Sequence, residues 1–200
     1  GMGIDKPDIR FVAHVSLPGS MEAYYQEIGR AGRDGKAAET LLMYGLSDLF
    51  QRRRFIEEDG EDENHKLREH KRLDSLLAYC EAPSCRRIAL LHYFDEQIAP
   101  CGNCDNCLSP PKLVDGTELA QMTLSAIYRT GQSFGTTHII DVLRGSPSGK
   151  ILERNHNQIK TFGVGSEYSK PYLQSFIRQL IAAGHVVLNI KKFGGLEISK

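Results

Sequence analysis

The sequence predicts a mixed α/β protein built in three pieces. Three observations predict it. A β-branched run, a capped helix and a second short apolar run follow one another over residues 9–44. A cysteine cluster, Cys101-Gly102-Asn103-Cys104-Asp105-Asn106-Cys107, follows two helical stretches. Last comes a strongly periodic helix over 169–184, then two alternating apolar runs around a glycine turn. Polar breaks place the boundaries near residues 60 and 112, giving pieces 1–59, 60–112 and 113–200.

The bulk numbers narrow the classes. The chain of 200 residues is 40% hydrophobic and 25% charged, ordinary values for a globular protein with a real core. No stretch of eighteen or so apolar residues is present, so no membrane span is expected. Formal net charge is zero but unevenly spread. Residues 137–200 carry nine Lys/Arg against four Asp/Glu, and residues 1–136 carry sixteen against twenty-one. A basic C-terminal piece points towards a polyanionic partner, although charged faces are often merely solvated.

In chain order, Ile9 to Val15 reads as a buried strand. Leu17-Pro18-Gly19 ends it, and Ser20 caps a helix from Met21 to about Ala31, with Glu22 favouring the positive helix end. Thr40 to Tyr44 reads as a second strand. At the end of the helix stand Gln26, Arg30 and Arg33 beside Gly32 and Gly35. Two forked guanidinium groups at that spacing can reach one polyanion, such as a triphosphate. A solvated helix end pairing with Glu22 and Glu27 is equally consistent. Ser47 to Glu57 is expected as a helix with Ser47 as cap, and Arg52-Arg53-Arg54 as charged exterior.

Residues 67–79 form an amphipathic helix with Leu73, Leu76, Leu77 and Cys80 on one face. After Pro83, Ser84 caps a helix to about Phe94, with Cys85 in its first turn, where the helix dipole favours a thiolate. The C-x2-C-x2-C run can wrap one tetrahedral metal, because tight turns let sulfurs three residues apart converge. Cys85 is the best fourth ligand, so the candidate metal ligands are Cys85, Cys101, Cys104 and Cys107, and Cys80 is a small buried hydrophobe. Zinc suits this set. An iron–sulfur cluster has the same local signature and stays open on spacing alone. A disulfide network fits poorly, since five cysteines is odd and no export signal is visible. A platform this small should depend on its metal to fold.

Pro110 to Asp115 reads as a linker. Thr117 to Thr130 follows as a helix with Leu119, Met122, Leu124, Ile127 and Tyr128 on its apolar face. His138 to Leu143 is a brief helix and Ile151 to Gln158 another. Gly145 to Ile151 falls one residue short of a phosphate-cradling loop and lacks its hydroxyl, so it reads as a polar loop. Ser169 caps the clearest helix, with Leu173, Phe176, Ile177, Leu180 and Ile181 on one face and Gly184 past its end. Val186, Leu188 and Ile190 alternate, as do Leu196 and Ile198, around a tip at Lys191-Lys192-Phe193-Gly194-Gly195. Helices followed by a β-hairpin make a winged helix. Lys150, Arg154, Lys160, Ser169, Lys170, Arg178, Lys191 and Lys192 are its candidate DNA contacts. Phe193 at the tip would either stack on a base or fold back on the core.

These residues carry a resemblance. Gln26 to Gly35 resembles motif VI of superfamily-2 helicases, and Gly1 to Pro7 resembles their motif V in its RecQ form. Cys85-Arg86-Arg87 with the Cys101–Cys107 cluster is similar to the RecQ zinc-binding region, and the remainder resembles the RecQ winged helix. The resemblance covers essentially the whole chain in RecQ order. It implies a partial RecA-like α/β lobe, a helical zinc-binding platform and a winged-helix domain, from an ATP-dependent 3′→5′ DNA helicase of recombination and repair.

It further implies Zn2+, with ATP and Mg2+ in the full-length enzyme. Arg33 would be an arginine finger, Arg30 and Gln26 would contact the same phosphates, and Gly3 and Asp5 would couple nucleotide to DNA. No phosphate-cradling G-x-x-x-x-G-K-S/T loop occurs in the sequence, so the chain is expected to be a C-terminal piece without ATPase of its own. Forked or partly single-stranded duplex DNA, a contact with a single-strand-binding protein, and a cytoplasmic, nucleoid-associated setting are the remaining expectations. The competing reading is a zinc-stabilised winged helix that binds protein partners.

Overall fold

The computed structural model describes residues 6–192 and 194–199, so the expectations on Gly3, Asp5 and Phe193 lie outside the described residues. The chain divides into two compact units, Gly1–Pro110 and Pro111–Lys200.

In the first unit, β1 (Phe11–His14) pairs in parallel with β2 (Glu39–Leu42), and α1 (Met21–Ile28) makes the crossover between them. The Ser20 hydroxyl accepts from the Ala23 N–H, as an N-cap should. The expected buried strand is corrected: β1 alternates, with Phe11 52% exposed and Val15 beyond its end 76% exposed. Two strands cannot cover both faces of a parallel sheet, so β-branched composition does not secure burial here. The helix also stops earlier than Ala31, with Gly29 as its C-cap.

The helical part of the unit comprises α2 (Leu46–Glu58), α3 (Glu63–Glu81), α4 (Arg86–His92) and α5 (Asp105–Leu108). Ser47 does not cap α2. Gly45 holds that position, and its N–H donates to the Asp48 carboxylate at 2.7 Å. Asp62 caps α3 by accepting from the His65 N–H at 2.8 Å, which starts that helix four residues before the apolar pattern does. Leu73, Leu76 and Leu77 of α3 are fully buried.

The arginine run is not exterior. Arg53 is buried with its guanidinium 2.6 Å from Asp74, and Arg52 donates to the Leu17 carbonyl at 2.6 Å. Only Arg54, paired with Glu58 at 3.3 Å, behaves as a surface charge. These contacts fasten α2 to α3 and to the end of β1. Tyr93 adds another tie between the two halves of the unit by donating to Glu22 at 2.8 Å.

The second unit contains α6 (Thr117–Arg129), α7 (Thr136–Arg144), α8 (Gly149–Glu153), α9 (Lys170–Ala182) and 3-10 turns at His156–Gln158 and Ile190–Lys192. A hairpin of β3 (Val186–Asn189) and β4 (Gly195–Ile198) follows, pairing Val186 with Ile198 and Leu188 with Leu196. On α6 the buried stripe is Leu119, Thr123, Ala126 and Ile127, whereas Tyr128 is 70% exposed. Thr123 can be buried because its hydroxyl donates back to the Leu119 carbonyl at 2.8 Å. The single helix expected over 151–158 is broken at Asn155, whose φ of 54° is left-handed.

The Ser169 hydroxyl caps α9, and Leu173, Ile177, Leu180 and Ile181 form its buried face. The segment before α7 lies along β4: the Leu196 N–H donates to the Phe134 carbonyl and the Ile198 N–H to Gln132 Oε1, each at 2.9 Å. Gly195 permits this approach, since a Cβ there would stand 2.9 Å from the Ser133 carbonyl carbon. The hairpin is thereby seated on the helices in the winged-helix manner.

Candidate metal centre and nucleic-acid interface

The cysteine cage is assembled from three places in the first unit. Cys85 is the N-cap of α4, not a residue of its first turn. Cys104 is the N-cap of α5, Cys107 lies within α5, and Cys101 precedes both. All four sulfurs lie within 4.8 Å of one another, with Cys101–Cys107 at 4.0 Å and Cys85–Cys104 at 3.9 Å. A tetrahedral ion with metal–sulfur bonds of about 2.3 Å separates its ligands by about 3.8 Å. The cage therefore could hold one ion with little movement, and it has no room for a multi-iron cluster. Cys80 lies outside it, its thiol pushed up to about 12 by burial.

The cage is prepared for thiolates. The Cys101 N–H points at the Cys85 sulfur and the Arg86 N–H at the Cys104 sulfur, both at 3.4 Å. Burial opposes ionisation of Cys85, but backbone N–H groups of Cys101 and Ile88 outweigh it and bring the thiol down to about 6. Cys104 is lowered in the same way, against burial, by N–H groups of Arg86 and Cys107. Cys107 goes the other way, to about 11: the Gly102 N–H lowers it, but the neighbouring sulfurs and burial prevail. Sulfurs sharing protons across one small cage divide them unevenly, and a dication replaces those protons.

Arg86 is the part of this site that spacing did not single out. Its guanidinium donates to the carbonyls of Tyr79 and Cys80 at 2.9 Å and of Ala82 at 3.3 Å, at the end of α3. The same fork holds the Asp105 carboxylate at 3.0 Å. Asn106 completes the bracket by donating to Ala82 and Ser84 carbonyls at 2.9 and 2.7 Å. Arg86 thus joins the α3 end to the helix that carries Cys107. Arg86→Ala is expected to weaken metal affinity about 10- to 100-fold, the usual cost of losing a residue that orients ligands. Competition with a coloured chelator would measure it, and unchanged affinity would remove Arg86 from that role.

The second cluster lies after α1. Gln26 is exposed on the helix, and Arg30 and Arg33 sit on the turn that follows. That turn is tied to the start of β1. The Gly32 N–H donates to the Ile9 carbonyl at 2.9 Å, the Asp34 N–H to the Pro7 carbonyl at 3.2 Å, and Arg10 pairs with Asp34. The Arg10 hydrogen bond holds the Asp34 carboxyl below its ordinary range. Gly32 has φ +67°, and a Cβ there would stand 2.8 Å from the Lys36 carbonyl oxygen. Arg33 is consequently presented at the surface on a fastened loop, with its Nε 3.5 Å from the Gly29 carbonyl.

In the second unit the candidate phosphate contacts separate into two groups. Lys150 and Arg154 are exposed four residues apart on and just after α8, and Lys160 and Lys191 are exposed elsewhere on the unit. Lys170 is drawn to Asp141 at 3.7 Å, and Lys192 to Glu197 at 2.6 Å. Arg178 donates to the Ser175 hydroxyl at 3.2 Å, and the Ser169 hydroxyl is spent on its cap. A cluster of Phe134, His138 and His156 also stands beside α8, where no sequence period announces it.

A strand–helix–strand piece with an arginine turn, a four-cysteine helical platform and a winged helix, in that order, define the C-terminal region of a helicase-type protein. Family models agree along the chain: the helicase conserved C-terminal domain matches residues 1–35, the RecQ zinc-binding model 46–108 and the RQC domain 110–200. Among curated relatives, the ATP-dependent DNA helicase RecQ of Haemophilus influenzae is 47% identical over 93% of this chain and 30% of its own length. That of Bacillus subtilis is 38% identical over 100% of this chain and 34% of its own. The RecQ-like DNA helicase BLM of Xenopus laevis is 36% identical over 90% and 15%. The chain belongs to the RecQ family as a C-terminal portion, and it spans about a third or less of the length of these relatives.

Proposed function

We propose that this chain is the DNA-gripping and nucleotide-coupling portion of an ATP-dependent 3′→5′ DNA helicase acting in recombination and repair. The observation that supports it best is the succession of the three family regions, with exposed basic residues on the last of them. In this reading Cys85, Cys101, Cys104 and Cys107 hold one Zn2+ that fixes the platform. Arg33 reaches the γ-phosphate of an ATP–Mg2+ carried on another lobe, with Arg30 and Gln26 beside it and Gly3 and Asp5 linking that site to the strand. Lys150, Arg154, Lys160 and Lys191 carry most of the grip on duplex phosphates. Ser169, Lys170, Arg178, Lys192 and Phe193 stand in a supporting role. Contact with a single-strand-binding protein and nucleoid association belong to the same reading. No described helix is long and apolar enough to cross a membrane.

Affinity for a forked duplex across a salt series tests this. Each phosphate contact releases counterions, so affinity should fall steeply with salt. Lys150→Gln and Arg154→Gln should each flatten the logarithmic slope by about 1, because each removes one phosphate contact. Lys192→Gln should do less, since Glu197 already offsets that charge. Salt-independent binding, or none at low salt, would favour a winged helix that docks on protein partners.

A further inference from the structure

We propose that His138 and His156 form a proton-sensitive latch that seats the segment carrying Lys150 and Arg154. His138 lies in the first turns of α7, and His156 opens the 3-10 turn beyond α8. Their rings meet edge to face, with His138 Nε2 2.8 Å from His156 Nδ1. Phe134 stacks on His138 at 4.1 Å and meets His156 edge-on at 5.0 Å. The latch thus crosses from the loop before α7, through α7, to the far end of the segment 149–158.

Such a bond needs one donor and one acceptor nitrogen. An imidazole with one proton supplies the lone pair that the other's N–H requires. When both rings carry two protons, two N–H groups face each other at hydrogen-bond distance and the bond is gone. Among the described residues only Asp141 favours the extra charge, and the other influences oppose it. Burial and then His156 hold His138 below the ordinary imidazole value; Asp141 pulls the other way and Lys150 adds to the lowering. Asp141 is itself drawn to Lys170. Burial and then Arg154 lower His156. Phe134 offers an apolar face and no counter-charge.

The sign follows from these directions. A group whose folded value lies below its unfolded value of about 6.5 contributes its full stabilisation above that pH, and loses it as pH falls towards the folded value. Acidification therefore loosens 149–158, and with it the placement of Lys150 and Arg154. The duplex consequence rests on the function proposed above, but the latch itself does not.

The test is amide hydrogen exchange on this 200-residue chain, read as protection factors for residues 151–158 at pH 7.5 and 5.5. Wild type should lose protection by up to tenfold per pH unit for each proton taken up below about pH 6.5. The double variant His138→Gln/His156→Gln, which has neither imidazole, should show little change with pH. Equal protection at both pH values in wild type would overturn the latch, as would the same loss in the double variant. The imidazole titrations of wild type, followed by NMR, decide independently of any variant: both values at or above 6.5 would overturn it. Fork affinity at the two pH values then reports the consequence. Failure to bind DNA at either pH would count against the proposed function and leave the latch to the exchange result.

Discussion

Cys104→Ser, or removal of the metal by a strong chelator, is expected to unfold the cysteine platform and the helix ends it holds. The magnitudes decide this. Structural zinc contributes about 10–16 kcal/mol to the folding of small zinc peptides, whereas a whole domain is stable by only about 5–15 kcal/mol. Little apolar core lies near the cage to compensate: α5 has no buried residue, and on α4 only Leu90 is buried. Without metal the Cys85 thiol, brought down to about 6, would also stand as an anion at neutral pH with no dication beside it. A melting curve with metal content measured on the same sample checks the prediction. An unchanged melting temperature in Cys104→Ser would remove the site. Cys80→Ser serves as the contrast and should keep full metal content, because Cys80 lies outside the cage.

Arg33→Ala is expected to lower ATP hydrolysis about 10³- to 10⁵-fold in a longer protein that contains the nucleotide-binding lobe, the range found when an arginine finger is removed. Duplex binding should be unchanged, because Arg33 belongs to the first compact unit and the proposed duplex contacts to the second. The loop geometry supports so large an effect. A finger placed by fixed backbone bonds loses little freedom when charge develops on the phosphate, and Arg10 and Gly32 fix this one. Lysine should not restore the rate, since it lacks the planar fork. Full ATPase in Arg33→Ala would sink the assignment. Loss of ATPase together with DNA affinity would mean a structural role instead.

Much of the fold was legible because its signals are local. The α9 stripe of Leu173, Ile177, Leu180 and Ile181 between Ser169 and Gly184 reads directly from helical spacing, and the alternation of Val186 and Leu188 sets the hairpin register. The cysteine cage was legible because thiol spacing is itself a geometric constraint. What was illegible depends on residues distant in sequence. Arg53 looked like exterior because its neighbours are charged, yet Asp74, 21 positions away, lets it be buried. Gly45 displaced Ser47 as cap because the Asp48 carboxylate can close the turn from inside the helix. Tyr128 has the right period, yet it stays exposed because no described element covers it. Lys170 and Lys192 read as phosphate contacts from their places on the polar helix face and the hairpin tip, and their ion pairs with Asp141 and Glu197 cannot be read from position. The His138–His156 pair joins positions 18 apart across a break in the helix, which no periodicity foretells.

The cage also sets two different rules for length. Between Cys101 and Cys107 every position is fixed by a turn or by α5, so adding or removing one residue would swing a sulfur away from its partners. Between Cys85 and Cys101 the chain passes through α4 and then the exposed stretch Asp95 to Pro100. Lengthening a surface loop is cheap, about 0.6 kcal/mol for each doubling. The first gap is thus a place where family members can differ freely in length, and where a tag or a whole guest domain could be inserted while the ligand geometry is kept.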